Sequence, residues 1–256
     1  MFENMKIQII SEGSTKFDYL KRRWGLSMLI DDDVLFDTFC TGELLKADLI
    51  KFNIDMQKIK HIILSHEHWD HTGGLWYVLE NTNDVKVYIC SKFSDEFKRK
   101  VKEYNCQLIE VTKSIPIKEN IFTSGEIEGT YNDKPIYEQS LIIKQNDRMA
   151  VLTGCSHPGI LKILSLIGLE NKEKINLLLG GLHLMDKQQK EISEITTILD
   201  LIYRIDKIAA FHCTGGKAVK YFKKHMPERL QKVKAGKCFI SNADKALWEH
   251  PGKYKE

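Results

Sequence analysis

Short apolar runs alternate with amphipathic stretches along the whole chain. Met5–Ile10 reads as a first strand. Ser27–Ile30 and Val34–Phe36 flank Asp31-Asp32-Asp33, the pattern of a hairpin turn. In Glu43–Phe52 the residues Leu44, Leu45, Leu49 and Phe52 recur at helical spacing. His61–Leu64 predicts a buried strand, Leu75–Glu80 a helix, Val85–Cys90 a strand and Ser94–Glu103 a charged amphipathic helix. The second half keeps the habit. Strands at Met149–Thr153, Ile175–Leu179 and Ile208–Phe211 each run into a Gly-containing turn and then a helix: one to about Ile167, one over Glu191–Ile205 and one after Gly216. Strands alternating with helices imply a layered α/β architecture. The two halves together predict an αββα sandwich in one domain spanning residues 1–256.

The histidines fall at one kind of place in this pattern. His66, His157, His183 and His212 each lie just past an apolar strand and before a Gly-containing turn into a helix. In open α/β folds that carboxyl edge of the sheet is where ligands bind.

The densest group is His66-Glu67-His68-Trp69-Asp70-His71. Residues two apart in an extended segment point the same way, so His66, His68 and Asp70 can converge. His71 is out of phase and would reach a second position nearby. Imidazole and carboxylate donors suit zinc and related divalent ions. Two adjacent ions can make hydroxide available at neutral pH and hold a substrate oxygen. The plain alternative, a solvated polar loop, explains three histidines and an aspartate within six residues poorly.

Ser65-His66-Glu67-His68-Trp69-Asp70-His71-Thr72-Gly73-Gly74 resembles the signature loop of the metallo-β-lactamase superfamily, and Leu35-Phe36-Asp37-Thr38 resembles the aspartate turn upstream of it. The resemblance implies the αββα fold, with the metal site at one edge of the two sheets. It gives Asp37 the task of hydrogen-bonding the metal loop. It implies a first ion on His66, His68 and a third histidine, for which His157 is the candidate, and a second ion on Asp70, His71 and His212. Many members carry a bridging aspartate in a Gly-Asp pattern where this chain has Gly154-Cys155. Cys155 is therefore either a thiolate ligand or a small buried hydrophobe. His183 reads as a general acid or substrate-binding group, with Asp70 the other expected catalytic residue. The flavodiiron branch replaces the second loop histidine by Glu; His68 here favours hydrolytic chemistry. His61, His225 and His250 have no motif context.

Trp24-Gly25-Leu26-Ser27, Thr153-Gly154-Cys155-Ser156-His157-Pro158-Gly159, Gly180-Gly181-Leu182-His183-Leu184 and His212-Cys213-Thr214-Gly215 together resemble the branch named after the dihydropterin ribofuranosylaminobenzene phosphate synthases. The turn Asp37-Thr38-Phe39-Cys40-Thr41-Gly42 is longer than is usual there, which predicts an altered pocket mouth. Three readings stay open. One is a metal-dependent hydrolase, with phosphoesters as its candidate substrates. One is a pterin-type synthase using the ions as Lewis acids. One is a metal-binding or redox sensor without turnover. An open coordination position would favour an enzyme, and a shell filled by Cys155 a sensor. The expected cofactors are two divalent ions, zinc first, with Mn or Fe as alternatives.

Composition narrows the partners. A net charge of +3 is small for a nucleic-acid footprint, so a small-molecule substrate is expected and nucleic acid is not. No apolar run approaches the roughly 20 residues that span a bilayer. The first residues lack a basic and then apolar leader, and the six cysteines are scattered, so a cytoplasmic protein with free thiols is expected. That speaks against a true, exported β-lactamase.

Overall fold

A computed structural model describes residues 5–170, 173–242 and 247–249. The strands in chain order are β1 (Lys6–Gly13), β2 (Gly25–Ile30), β3 (Val34–Phe36), β4 (His61–Ile63), β5 (Val85–Cys90), β6 (Cys106–Val111), β7 (Pro116–Lys118), β8 (Ile121–Thr123), β9 (Ile127–Tyr131), β10 (Lys134–Glu138), β11 (Leu141–Gln145), β12 (Arg148–Thr153), β13 (Lys174–Gly180), β14 (Lys207–Ala210), β15 (Cys238–Asn242) and β16 (Leu247–Glu249). The helices are α1 (Lys16–Leu20), α2 (Gly42–Lys51), α3 (Trp69–Thr72), α4 (Leu75–Glu80), α5 (Asp95–Val101), α6 (Ile160–Glu170), α7 (Gln189–Leu201) and α8 (Gly215–His225).

One sheet has the order β16-β15-β1-β2-β3-β4-β5-β6, the other β14-β13-β12-β11-β8-β7, and β9 pairs with β10 alone. Neighbours from β3 to β6 are parallel, as are β12, β13 and β14.

Strand alternation explains the layering. Alternate side chains leave opposite faces of a strand. Ile7, Ile9, Leu26, Met28 and Ile30 of the first sheet share a core with Leu141, Ile143, Ala150, Leu152, Leu177 and Leu179 of the second. The out-of-phase residues Leu29, Leu35, Ile62, Val87 and Ile89 pack instead on Leu45, Leu49, Leu75, Val78 and Phe97, from α2, α4 and α5. Val151, Leu178 and Ile208 do the same with Ile163, Ile167, Ile192, Leu199 and Phe222, from α6, α7 and α8. Helix, sheet, sheet, helix is the expected sandwich. Phe222 is fully buried at its outer seam, where truncation to Ala would cost about 3–5 kcal/mol.

Three expectations need correction. The helix expected over Glu191–Ile205 ends at Leu201, because Arg204 turns to a φ of 50° on the way into β14. The metal loop is extended only as far as His68, which caps α3. Asp70 and His71 therefore sit on a helical turn, and alternation does not aim Asp70 with His66 and His68. The long turn after Asp37 does not line the pocket described below. Thr38 N and Oγ1 both bond His71 O, and Phe39 is fully buried behind the loop.

Candidate metal centre

The parallel strands end at a common edge, and each end carries one motif. Asp37 follows β3, and Ser65, His66 and His68 follow β4. Cys155 and His157 follow β12, His183 follows β13 and His212 follows β14. The two sheets thus bring residues from positions 37 to 212 into one cluster.

Two trios emerge. Donor atoms of His66, His68 and His157 lie within 4.8 Å of one another, as do those of Asp70, His71 and His212. His66 Nε2 is 3.1 Å from His68 Nδ1. His71 Nε2 is 3.2 Å from His212 Nε2, and Asp70 Oδ2 is 3.5 and 3.3 Å from those two nitrogens. His66, His71 and His212 are fully buried.

The surroundings fix which nitrogen carries hydrogen. Asp37 Oδ2 accepts from His71 Nδ1 at 2.7 Å and from Ser65 Oγ at 2.7 Å, while its Oδ1 accepts from Ser65 N. Since the Ser65 hydroxyl donates to Asp37, His66 Nδ1 must donate to Ser65 Oγ, 2.9 Å away. His212 Nδ1 donates to the carbonyl of Gly13 at 3.0 Å. Each of these rings is left with an Nε2 lone pair turned into the cluster, the arrangement in which a partner on one nitrogen prepares the other as a ligand. Gly154 is required here: a Cβ would fall 2.1 Å from Ser65 Oγ and 3.2 Å from Asp37 Oδ2.

These donors fit a divalent cation. The Nε2 lone pairs of His71 and His212, 3.2 Å apart, need a proton or a cation between them, and two ligands of a tetrahedral zinc stand about 3.3 Å apart given Zn–N bonds of 2.0–2.1 Å. Both ring nitrogens of buried His157 lack a hydrogen-bond partner among the described residues. Burial drives His66, His68 and His157 below the ordinary histidine range, His68 to about 4 and His157 to about 2. Burial also opposes charge on Asp70, yet His71 and His212 hold its carboxyl well below the usual range. His71 goes the other way, since Asp70 and Asp37 outweigh its burial and raise it above the ordinary histidine range.

Two contributors lie on the β9–β10 hairpin, which the sequence pattern does not predict. Glu138 closes β10, and its buried carboxylate accepts the main-chain N–H groups of Cys155, Ser156 and His157, each at 2.8 Å. It holds a turn in which Ser156 takes a φ of 64°. Tyr131 ends β9, next to a turn with Asn132 and Asp133 at φ 49° and 59°, the type I′ geometry that suits a hairpin. Its ring centroid lies 4.7 Å from that of His68, 5.1 Å from His157 and 6.1 Å from His183. The signal available in the sequence was the Asn132-Asp133 pair between polar-apolar alternations.

A cavity of about 620 Å³ opens over the cluster, lined among others by Tyr19, Trp24, Trp69, Tyr131 and His183. His183 adopts a φ of 49°, and its ring lies 4.4 Å from that of His157. Its Nδ1 is buried without a partner among the described residues. Contact with Cys213 holds His183 above its ordinary value although burial acts against this. His61 bonds the Tyr88 hydroxyl and His225 stacks on Tyr221, both in other surroundings. His250 lies outside the described residues.

Known proteins share this layout. The family model of the metallo-β-lactamase superfamily matches residues 25–118. A curated relative from Methanocaldococcus jannaschii, named 7,8-dihydropterin-6-methyl-4-(β-D-ribofuranosyl)-aminobenzene-5'-phosphate synthase, is 26% identical, with 92% of this chain and 96% of that protein covered. The crystal structure of Tm1679, described as a metal-dependent hydrolase of the β-lactamase superfamily, superposes with a TM-score of 0.74 at 26% identity, covering 91% of this chain and 98% of that one. Human tRNase Z, short form, shares the fold at a TM-score of 0.61 and 14% identity, over 91% and 98% of the two chains. With the family model matching residues 25–118 and two proteins at 26% identity aligned over nine-tenths of its length, the chain is similar to members of the metallo-β-lactamase superfamily.

Proposed function

We propose that this protein is a metal-dependent hydrolase acting on a small phosphoester. His66, His68 and His157 would hold one divalent ion and Asp70, His71 and His212 a second, zinc first, with Mn or Fe as alternatives. The observation that carries the reading is the pair of donor trios facing each other beneath an open cavity. When bound, such ions supply Lewis acidity and a source of hydroxide at neutral pH.

The chain's own residues do the rest. Asp37, Ser65 and the Gly13 carbonyl keep three imidazoles in one tautomer, so no reorganisation is needed when charge develops. His183 faces the cavity beside His157 and donates its proton to the leaving oxygen, a role worth roughly 10²–10⁴ in rate. Trp24 packs on His212 with centroids 4.8 Å apart and shields that side from water. Tyr131 covers the opposite side.

A second reading rests on the M. jannaschii relative, whose name is that of a synthase. The same donors would then serve bond formation on a pterin. A small-molecule substrate is preferred to RNA because the net charge is only +3; the shared tRNase Z fold does not by itself separate the two. Among the described residues no helix is long and apolar enough to cross a membrane. The deciding experiment incubates protein purified without chelator with phosphomonoesters, phosphodiesters and, separately, a reduced pterin plus a ribosylated aminobenzene phosphate. Chelator-sensitive release of alcohol or phosphate supports the hydrolase. A coupled pterin product without ester hydrolysis replaces it by the synthase.

A further inference from the structure

Cys155 faces both trios rather than lying behind one. Its Sγ is 3.3 Å from His71 Nε2 and 3.3 Å from His212 Nε2. The sulfur also groups within 4.8 Å with donor atoms of His66 and His71, and with those of His157 and His183. The residue is 4% exposed. A cysteine that serves as a small hydrophobe sits among apolar side chains; this one looks onto imidazole nitrogens whose hydrogens are committed elsewhere. Its place is fixed from two sides. Cys155 N donates to Glu138 at 2.8 Å, and the preceding Gly154 is pressed against Ser65 and Asp37.

We propose that the Cys155 thiolate is a ligand shared between the two ion positions and biases the centre toward thiophilic ions. The proposal rests on the reading that the two trios hold ions. When an ion binds, the S–H bond gives its proton to solvent and the sulfur lone pairs go to the ions; nothing is oxidised or reduced. A soft thiolate favours zinc, cobalt or iron over manganese and magnesium, which prefer oxygen donors. Each ion then has its trio plus the shared sulfur, and zinc still accepts a further ligand from the cavity side during turnover. A filled four-donor count is thus compatible with an enzyme. Cys213 is the rival sulfur, since its donor atom also groups with those of Cys155 and His212. Its Sγ, however, donates to the Cys155 carbonyl at 3.4 Å.

Cobalt(II) titration of the metal-free protein tests the assignment. The expected result is a near-ultraviolet thiolate-to-cobalt charge-transfer band alongside visible d–d bands. Cys155→Ser should lose the charge-transfer band while keeping d–d bands, and Cys213→Ser should keep both. Cys155→Asp should bind without the band and shift the Mn-to-Zn affinity ratio toward Mn by about tenfold or more. X-ray absorption at the zinc edge of the unsubstituted protein needs no variant and should show a sulfur scatterer at about 2.3 Å. Visible bands with no charge-transfer band, or a band lost in Cys213→Ser rather than Cys155→Ser, would overturn the role of Cys155 while ion binding stands. Absence of any cobalt spectrum in the parent would overturn both.

Discussion

The main-chain N–H of His157 donates to the buried carboxylate of Glu138 at 2.8 Å. The same carboxylate takes the N–H groups of Cys155 and Ser156, so one side chain from the root of the β9–β10 hairpin shapes the turn after β12. Its removal should act on the metal centre without removing a ligand.

Glu138→Ala strands three buried donors and should cost about 2–4 kcal/mol of stability. Glu138→Gln keeps a carbonyl acceptor and should cost less. In both, affinity for the ion held by His157 should fall, by roughly 10–100-fold as is usual for groups that orient ligands. Thermal unfolding and competition titration with a zinc chelator read the two effects separately.

Asp37→Asn replaces an acceptor of His71 Nδ1–H by an amide group that can itself donate. The ring is then free to take the other tautomer, which puts hydrogen on Nε2 and removes the lone pair from the second trio. Metal affinity should drop about 10–100-fold, with the circular dichroism spectrum unchanged. Unchanged affinity would mean that His71 needs no help from Asp37.

Much of this was legible in the sequence. The strands ending near Leu64, Thr153, Leu179 and Phe211 were visible because they are continuous apolar runs, as parallel strands covered on both faces must be. Their ends carry His66, His157, His183 and His212, so the pattern alone points these four to one edge of the sheets. The hairpin of β9 and β10 is not legible in the sequence, for a physical reason. β9 and β10 are half exposed, with Glu128, Thr130, Lys134 and Pro135 open to solvent, so their alternation is weak. Nothing next to Glu138 in the sequence marks it as buried, since the backbone donors that hold it lie seventeen to nineteen residues away. The phase of Asp70 was also hidden, because four helical residues interrupt the extended loop.

His183→Gln removes the proposed proton donor while leaving both trios in place. The expectation is a kcat lower by about 10²–10⁴ with metal content equal to the parent. Loss of metal together with activity would instead make His183 a ligand.

Tyr131 forms part of the cavity wall over His68 and His157 and is 42% exposed. Tyr131→Ala should raise KM several-fold with a smaller change in kcat, since it removes contacts made equally to substrate and transition state. Tyr131→Phe should stay near the parent. A large kcat loss in Tyr131→Phe would give the hydroxyl a chemical role.

Metal content per chain tests the central claim most directly. Protein purified without chelator is measured by elemental analysis beside the His66→Ala/His68→Ala double variant. The account predicts close to two divalent ions per chain in the parent and a clear loss in the variant. No bound metal in the parent after supplementation, or equal content in both, would contradict it.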